Sequence, residues 1–369
     1  MTYEIAVLPG DGIGPEVVAE AVRVLDELER LTGGDLSFAL EPYDVGAVVW
    51  QRTGEAISTD AYRACEDAHA ILFGAAGVPG VRHPDGREVG GDLMFRLRHG
   101  LELYAGIRPI RSFRGVPSAL RPDAGEIDYV IVRENTEGLY AGRPGGSRVG
   151  REVVADTSLV TRAGTSRIAR RAFELARTRS GRPSDGVSTV ACIDKSNVLA
   201  SYAFFREVVE EVARDYDDVA LESFYVDAAA AYLVQRPTTF DVIVVENMFG
   251  DILSDLGAAT VGGLGMSPSG DIGDERGLFQ AAHGSAPDIA GQGIANPLAT
   301  VLSAAMMLDW LGHRHGDALA LVASDWVELA VRSAVTSAEG RPPDLGGRST
   351  SRDVCDVVLR NLREIVEAT

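Results

Sequence analysis

The chain is poor in cysteine. Cys65, Cys192 and Cys355 are far apart, odd in number and in no metal-ligand spacing. That excludes a disulfide scaffold and a cysteine-built zinc centre, and it fits a reducing cytoplasm. Cys192 lies in an apolar run and reads as core. Basic residues are also scarce: 35 Lys and Arg stand against 54 Asp and Glu, a net charge of −19. Neutralising phosphates takes a basic surface, so neither nucleic acid nor an anionic membrane is expected as a partner. Long apolar runs are missing too. The best stretch, around 298–311, is broken by Ser303 and Asp309, whereas a bilayer span needs about 20 mostly apolar residues. No basic segment followed by an apolar stretch and a small-residue cleavage site opens the chain, so no signal peptide and a cytoplasmic location are expected.

With 46% hydrophobic residues in a chain of 369, a large core and two domains are expected. Short apolar runs at 5–8, 70–73, 129–132, 189–193 and 241–245 read as strands, and helical patterns at 166–177 and 203–213 lie between them. Such alternation predicts an α/β fold with a substantially parallel sheet. The loop Pro9-Gly10-Asp11-Gly12-Ile13-Gly14-Pro15 is not a Rossmann fingerprint: G-x-G-x-x-G would need glycine where Pro15 stands. Residues 139–160 read as an excursion, either a β-arm or an ordinary exposed loop.

The most informative stretch is Val244-Val-Glu-Asn-Met-Phe-Gly-Asp-Ile-Leu-Ser-Asp255. An apolar strand leads into a polar turn, Glu246 to Gly250, and a helix is expected to open at Asp251. Asp255 follows at i+4, which puts both carboxylates on one helical face. They are either solvated surface acids or a site for a hard divalent cation with oxygen ligands. Asp227, flanked by apolar residues, offers a third carboxylate. The run His283-Gly284-Ser285-Ala286-Pro287-Asp288-Ile289-Ala290-Gly291, followed by Asn296-Pro297, excludes regular structure; it is either a shaped loop that lets backbone approach a ligand closely or an ordinary tight turn with one exposed histidine. Arg98 ends a helical pattern, Arg108 precedes a proline, and Arg133 follows a strand with Tyr140 just after it. Arginine forks suit carboxylates, and ligands of open α/β sheets bind beyond strand carboxyl ends. Lys195 also follows a strand; it is either a base or an ion-pair partner of Asp194.

These motifs together resemble the β-decarboxylating dehydrogenases: the isopropylmalate, isocitrate, homoisocitrate and tartrate/D-malate dehydrogenases. The likeness runs from Leu8-Pro9-Gly10-Asp11-Gly12-Ile13-Gly14-Pro15 to Pro343-Asp344-Leu345-Gly346-Gly347. It implies the family's own two-domain α/β fold with a central mixed sheet. One domain would hold both termini (1–105 and 260–369, the cofactor side). The other, 106–259, would hold substrate, metal and the dimer interface. It implies that Arg98, Arg108 and Arg133 bind the malate carboxylates and that Asp251, Asp255 and a partner subunit's Asp227 hold Mg²⁺ or Mn²⁺. A partner subunit's Lys195 would be the base at the C2 hydroxyl, and Tyr140 the acid at C3. Ile13, His283, Gly284, Ser285, Ala286, Asp288, Ile289 and Asn296 would face NAD. Asp288-Ile289 matches the NAD pattern, where NADP users tend to have Lys-Tyr.

Met94 and Phe95, with Val198 of the partner subunit, would meet the C3 substituent, and Asn197 is also expected to bind substrate. An apolar wall there favours 3-isopropylmalate or another 3-alkylmalate, and Asp92 is expected to repel a third carboxylate. The Arg133–Tyr140 segment and Gly262-Gly263-Leu264-Gly265 look more like the isocitrate, homoisocitrate or tartrate/D-malate relatives, which stand as the alternative. A catalytically silent regulatory subunit of the same fold is the non-enzyme alternative. Two departures stand out: Gln280-Ala281 where the family commonly has Glu-Pro, and Gly106 where it often has asparagine.

Overall fold

The computed structural model describes residues 1–121, 123–142 and 145–369. Arg143 and Pro144, inside the segment read as an arm, lie outside the described residues. The chain divides into two compact units: Met1–Leu101 with Phe113–Pro117 and Gly262–Thr369, and Glu102–Ser112 with Ser118–Val261. The short return of Phe113–Pro117 to the first unit has no counterpart in the sequence reading. Gly115 explains its tight fit there, because a Cβ at this residue would meet the Val335 carbonyl oxygen at 2.9 Å.

In the first unit the strands lie in the order Ser37–Pro42, Thr2–Gly10, Ala70–Ala75, Gly277–Ala281, Pro268–Ile272, parallel except for the last pair. Helix Gly14–Leu31 begins with proline in its first turn, where the missing N–H costs nothing, and buries Val17, Val18, Ala21, Val24, Leu25 and Leu28. Helix Leu298–His315 is buried over most of its circumference, which accounts for its apolar sequence. No helix among the described residues is long and apolar enough to cross a membrane. The carboxyl ends of Thr2–Gly10 and Ala70–Ala75 are in register, Gly10 opposite Ala75. Strand Gly277–Ala281 runs parallel to Ala70–Ala75, so the loop beginning at Ala282 leaves from the same edge.

In the second unit the order is Ala105–Arg111, Asp128–Glu134, Val242–Val245, Thr189–Asp194, Ala220–Tyr225. The first pair is antiparallel and the rest parallel. Its core is built from the β-branched and aromatic residues of these strands, among them Ile110, Tyr129, Ile131, Ile193 and Ile243, with Phe240 from the turn before Val242–Val245. Val245 pairs with both Arg133 and Ile193, and Asp194 with Tyr225, so Arg133, Glu246, Lys195 and Val226 leave one edge together. Residues 147–155 form an exposed antiparallel hairpin, Ser147–Val149 with Val153–Ala155. All three cysteines are buried and free.

One element departs from expectation. The metal-type helix spans Asn247–Thr260 and does not open at Asp251. Glu246 is its cap, its side chain accepting from the Phe249 N–H at 2.9 Å, so the segment read as a turn is the first helical turn. Position 250, inside this helix, is glycine because a side chain there would meet Arg133 Cγ at 2.7 Å.

Candidate active site

The second unit assembles a charged cluster at its sheet edge. Arg133 is 1% exposed, an unusual place for a guanidinium, and it is satisfied by a fixed set of acceptors. Its Nε and Nη2 donate to Asn247 Oδ1 at 3.1 and 2.7 Å, and its Nη1 donates to Asp251. Arg108, also buried, donates to Ser254 Oγ at 2.5 Å and lies 3.5 Å from Asp251. The Tyr140 hydroxyl donates to Asp251 Oδ2 at 3.4 Å, and its ring lies 5.9 Å from the Arg133 guanidinium. Burial raises the Tyr140 pKa and the Asp251 charge adds to it, so the phenol stays protonated. Burial likewise raises the Asp255 carboxyl; Arg108 pulls it down and Asp251 pushes it up. Two carboxylates one helical turn apart, the second disfavoured as an anion, form the kind of donor pair that a hard cation relieves.

Lys195 and Asp227 form a separate pair. The lysine ammonium bonds the Asp227 carboxylate and lowers its pKa. Lys195 is therefore not the partner of Asp194, which is taken by Arg206 at 2.7 and 3.0 Å. Asp227 does not join Asp251 and Asp255 within the chain. Among the described residues no group of three His, Cys, Asp or Glu could hold a metal. Asn197 and Val198, just beyond Lys195, are exposed.

The first unit collects the cofactor candidates. Asp11, 2% exposed, accepts from the N–H groups of Ala47, Val48 and Gly77 at 2.7, 3.0 and 2.8 Å and so ties its own loop to the start of helix Ala47–Thr53 and to the loop at Gly77. The Ile13 N–H donates to the Ser285 carbonyl at 2.8 Å. Gly12 has φ +62°, and a Cβ on it would sit 1.9 Å from that same oxygen, so only glycine fits. Ala286 takes φ +35°, a strained value for a residue with a side chain, and such strain concentrates at ligand sites. Burial lowers the His283 pKa, leaving the ring neutral; its Nδ1 is bonded to the Gly284 oxygen while its enclosed Nε2 has no partner. Asn296 donates to Asp344 at 3.0 Å, Ile289 packs beside Ile13, and Gly284 and Asp288 are exposed. An orphaned imidazole nitrogen, a strained alanine and an exposed carboxylate fit a loop that takes a polar cofactor.

Helix Val89–Gly100 carries Met94, Phe95 and Arg98 on one face, the first two half-buried. Arg98 is 7% exposed and donates from Nε to Asp271 Oδ2 at 2.9 Å. Arg96 turns away: its guanidinium lies over the Tyr62 ring at 5.0 Å. Asp92 is not a free repelling charge, because Arg87 and His83 hold it at 2.7 and 3.2 Å. Gly106 is explained by Asn135, whose Oδ1 lies 2.8 Å from where a Cβ would be. Sequence reasoning missed Asn247, Ser254, Asp11 and Asp271. The first two lie inside the quoted 244–255 motif and Asp11 sits between two glycines, which was a usable signal; Asp271 had none.

Comparison with known proteins shows the family. The model of the isocitrate/isopropylmalate dehydrogenase family matches residues 4–358, and the chain belongs to that family. It is 43% identical over 363 residues to the 3-isopropylmalate/3-methylmalate dehydrogenase of Methanocaldococcus jannaschii, covering 98% of this chain and 99% of that one. It is 39% identical over 378 residues to the 3-isopropylmalate dehydrogenase of Aquifex aeolicus, covering 99% of each. Among solved structures, the isocitrate dehydrogenase of Methylococcus capsulatus superposes with TM-score 0.84 at 33% identity, covering 98% of this chain and 99% of that one. The apo β-decarboxylating dehydrogenase of Thermococcus kodakarensis gives 0.78 at 38% identity, covering 99% and 97%. The protein is thus an oxidoreductase, a β-decarboxylating dehydrogenase, with the fold expected from its sequence.

Proposed function

We propose that the protein catalyses the NAD-dependent, divalent-metal-dependent oxidative decarboxylation of a (2R,3S)-3-alkylmalate, with 3-isopropylmalate first. The observation that carries this reading is the Arg133–Asp251–Arg108–Tyr140 cluster: two buried arginines to take carboxylate, a paired-aspartate helix face, and a protonated phenol against it. Arg98, Arg108 and Arg133 bind the carboxylates. Asp251 and Asp255, with Asp227 of the partner subunit, would hold Mg²⁺ or Mn²⁺, which supplies Lewis-acid stabilisation of charge developing on oxygen, while NAD supplies the hydride acceptor. Lys195 of the partner subunit takes the proton of the C2 hydroxyl as hydride leaves C2. After CO₂ departs, Tyr140, whose hydroxyl lies against Asp251, returns a proton to C3.

His283, Ser285, Ala286, Asp288, Ile289 and Asn296, with Ile13 and Gly284, would bind NAD, and the Asp288 carboxylate would accept the ribose hydroxyls and repel a 2′-phosphate. The names of the curated relatives support the alkylmalate substrate. The orientation of Arg96 supports it as well, since a cation engaged on Tyr62 is not available for a third carboxylate. A homodimer is part of the proposal: the exposed hairpin valines Val149, Val153 and Val154 and the exposed Val198 and Leu199 suit burial against a second copy. The test is a set of initial rates on isopropylmalate, isocitrate, homoisocitrate, D-malate and tartrate, with NAD or NADP, with Mg²⁺ and after chelation. Activity with isopropylmalate and NAD that disappears on chelation and returns with Mg²⁺ or Mn²⁺ is expected. Metal-independent turnover would remove the assigned role of Asp251 and Asp255.

A further inference from the structure

The Gln280 departure finds its reason in the first unit. Asp271, on strand Pro268–Ile272, is fully buried, and its Oδ2 accepts from Arg98 Nε at 2.9 Å and from Gln280 Nε2 at 3.4 Å. The antiparallel register pairs Ser269 with Gln280 and Asp271 with Leu278, so Asp271 and Gln280 are diagonal neighbours on one face. Ser303 fixes that hairpin, its hydroxyl donating to the Gln280 carbonyl at 2.7 Å and accepting from the Ser269 N–H at 3.3 Å. A buried carboxylate requires a countercharge, and Arg98 supplies it. A guanidinium anchored through Nε has the direction of its two terminal nitrogens fixed, because the fork is planar. A glutamate at 280 would bring a second carboxylate to the place of the Gln280 amide, beside the first, and like charges at that range oppose each other.

We infer that Asp271 is the positioning residue for Arg98, and that this chain carries one carboxylate at this point, on residue 271, with Gln280 as its uncharged hydrogen-bond donor. The substitution at 280 therefore goes with the acid at 271 and is not an isolated loss of charge. The inference deepens the proposed function, since it rests on Arg98 gripping a substrate carboxylate.

The test is a charge-transposition cycle: Asp271→Asn, Gln280→Glu and the double variant, with Arg98→Lys as reference. Each is assayed with NAD and Mg²⁺ on 3-isopropylmalate, or on whichever member of the five-substrate panel is turned over fastest. Each single variant is expected to raise the substrate KM by about tenfold or more while the KM for NAD stays within about twofold, because the grip on substrate is what changes. The double variant, which again carries one carboxylate, is expected to return to within about threefold of the parent, a strong non-additivity. If Asp271→Asn does not fold and the double variant does, the charge pairing is supported. Effects that multiply in the double variant, or a Gln280→Glu protein with unchanged substrate KM, overturn the inference. If Arg98→Lys leaves the substrate KM unchanged, it is the assignment of Arg98 to the substrate that fails; if Arg98→Lys raises it and Asp271→Asn does not, only the positioning role of Asp271 fails.

Discussion

Replacing Arg133 by lysine keeps the charge and removes the fork. The guanidinium donates twice to Asn247 Oδ1, at 3.1 and 2.7 Å, and to Asp251. A single ammonium on a shorter reach satisfies at most one of these two residues. Hydrogen bonds to charged groups are worth about 1.5–3 kcal/mol each, so losing two is about 3–6 kcal/mol before relaxation. Relaxation and residual bonding by lysine leave about 2–4 kcal/mol, or a fall in kcat/KM of about 30- to 1,000-fold. Part of the loss appears as stability, because the Asn247 bonds pin helix Asn247–Thr260 to strand Asp128–Glu134. The assay is kcat/KM at 25 °C alongside a thermal melt, so that a folded but slow enzyme is separated from an unfolded one. A kcat/KM within about threefold of the parent, with an unchanged melt, would refute the orienting role of the fork.

Mixing Lys195→Ala protein with Asp251→Ala protein, each inactive alone, is expected to restore some activity, because one hybrid site regains both groups; no recovery after subunit exchange would count against sites shared between chains. Asp288→Ala is expected to relax the preference for NAD over NADP by about tenfold before it abolishes turnover, read as the ratio of kcat/KM values. Glu27 is held down to about 2 by its hydrogen bond from Arg30 and by Arg363, against the opposing effect of burial. A depressed carboxyl stabilises the fold above its unfolded value of about 4.3 and loses that contribution as pH falls through the folded value. Glu27→Gln should therefore melt lower than the parent at pH 7, by the equivalent of about 1 kcal/mol or less for so exposed a network, and the gap should narrow as pH falls from about 4 towards about 2. A gap between the melts that stays the same from pH 7 to pH 2 would contradict the linkage.

The parts of this molecule that sequence made legible are those whose chemistry is local. The arginine and lysine that follow apolar strands, Arg133 and Lys195, do sit at one sheet edge, because parallel strands deliver their carboxyl ends to the same side. Asp251 and Asp255 share a helix, as i and i+4 spacing requires. The start of that helix was misread because a glutamate caps it, and glutamate is not among the residues that usually mark a helix start. Strands Ala220–Tyr225 and Pro268–Ile272 went unread: glutamate and serine interrupt the first, and proline, serine, glycine and aspartate dilute the second. The Arg98–Asp271 bond joins residues 173 apart in the chain, and no local pattern announces such a contact. Asp92 had an apparent role from type and position alone, and its partners Arg87 and His83 reassign it.

The measurement that bears most directly on the central claim is the stoichiometry and specificity of turnover by the purified protein with Mg²⁺ and NAD. With 3-isopropylmalate, NADH and CO₂ are expected to appear in equal amounts, with kcat/KM above that for isocitrate and homoisocitrate. No reduction of nicotinamide by any of the 3-substituted malates, or a preference of about tenfold or more for either tricarboxylate, a discrimination that an extra buried cation would provide, would contradict the account.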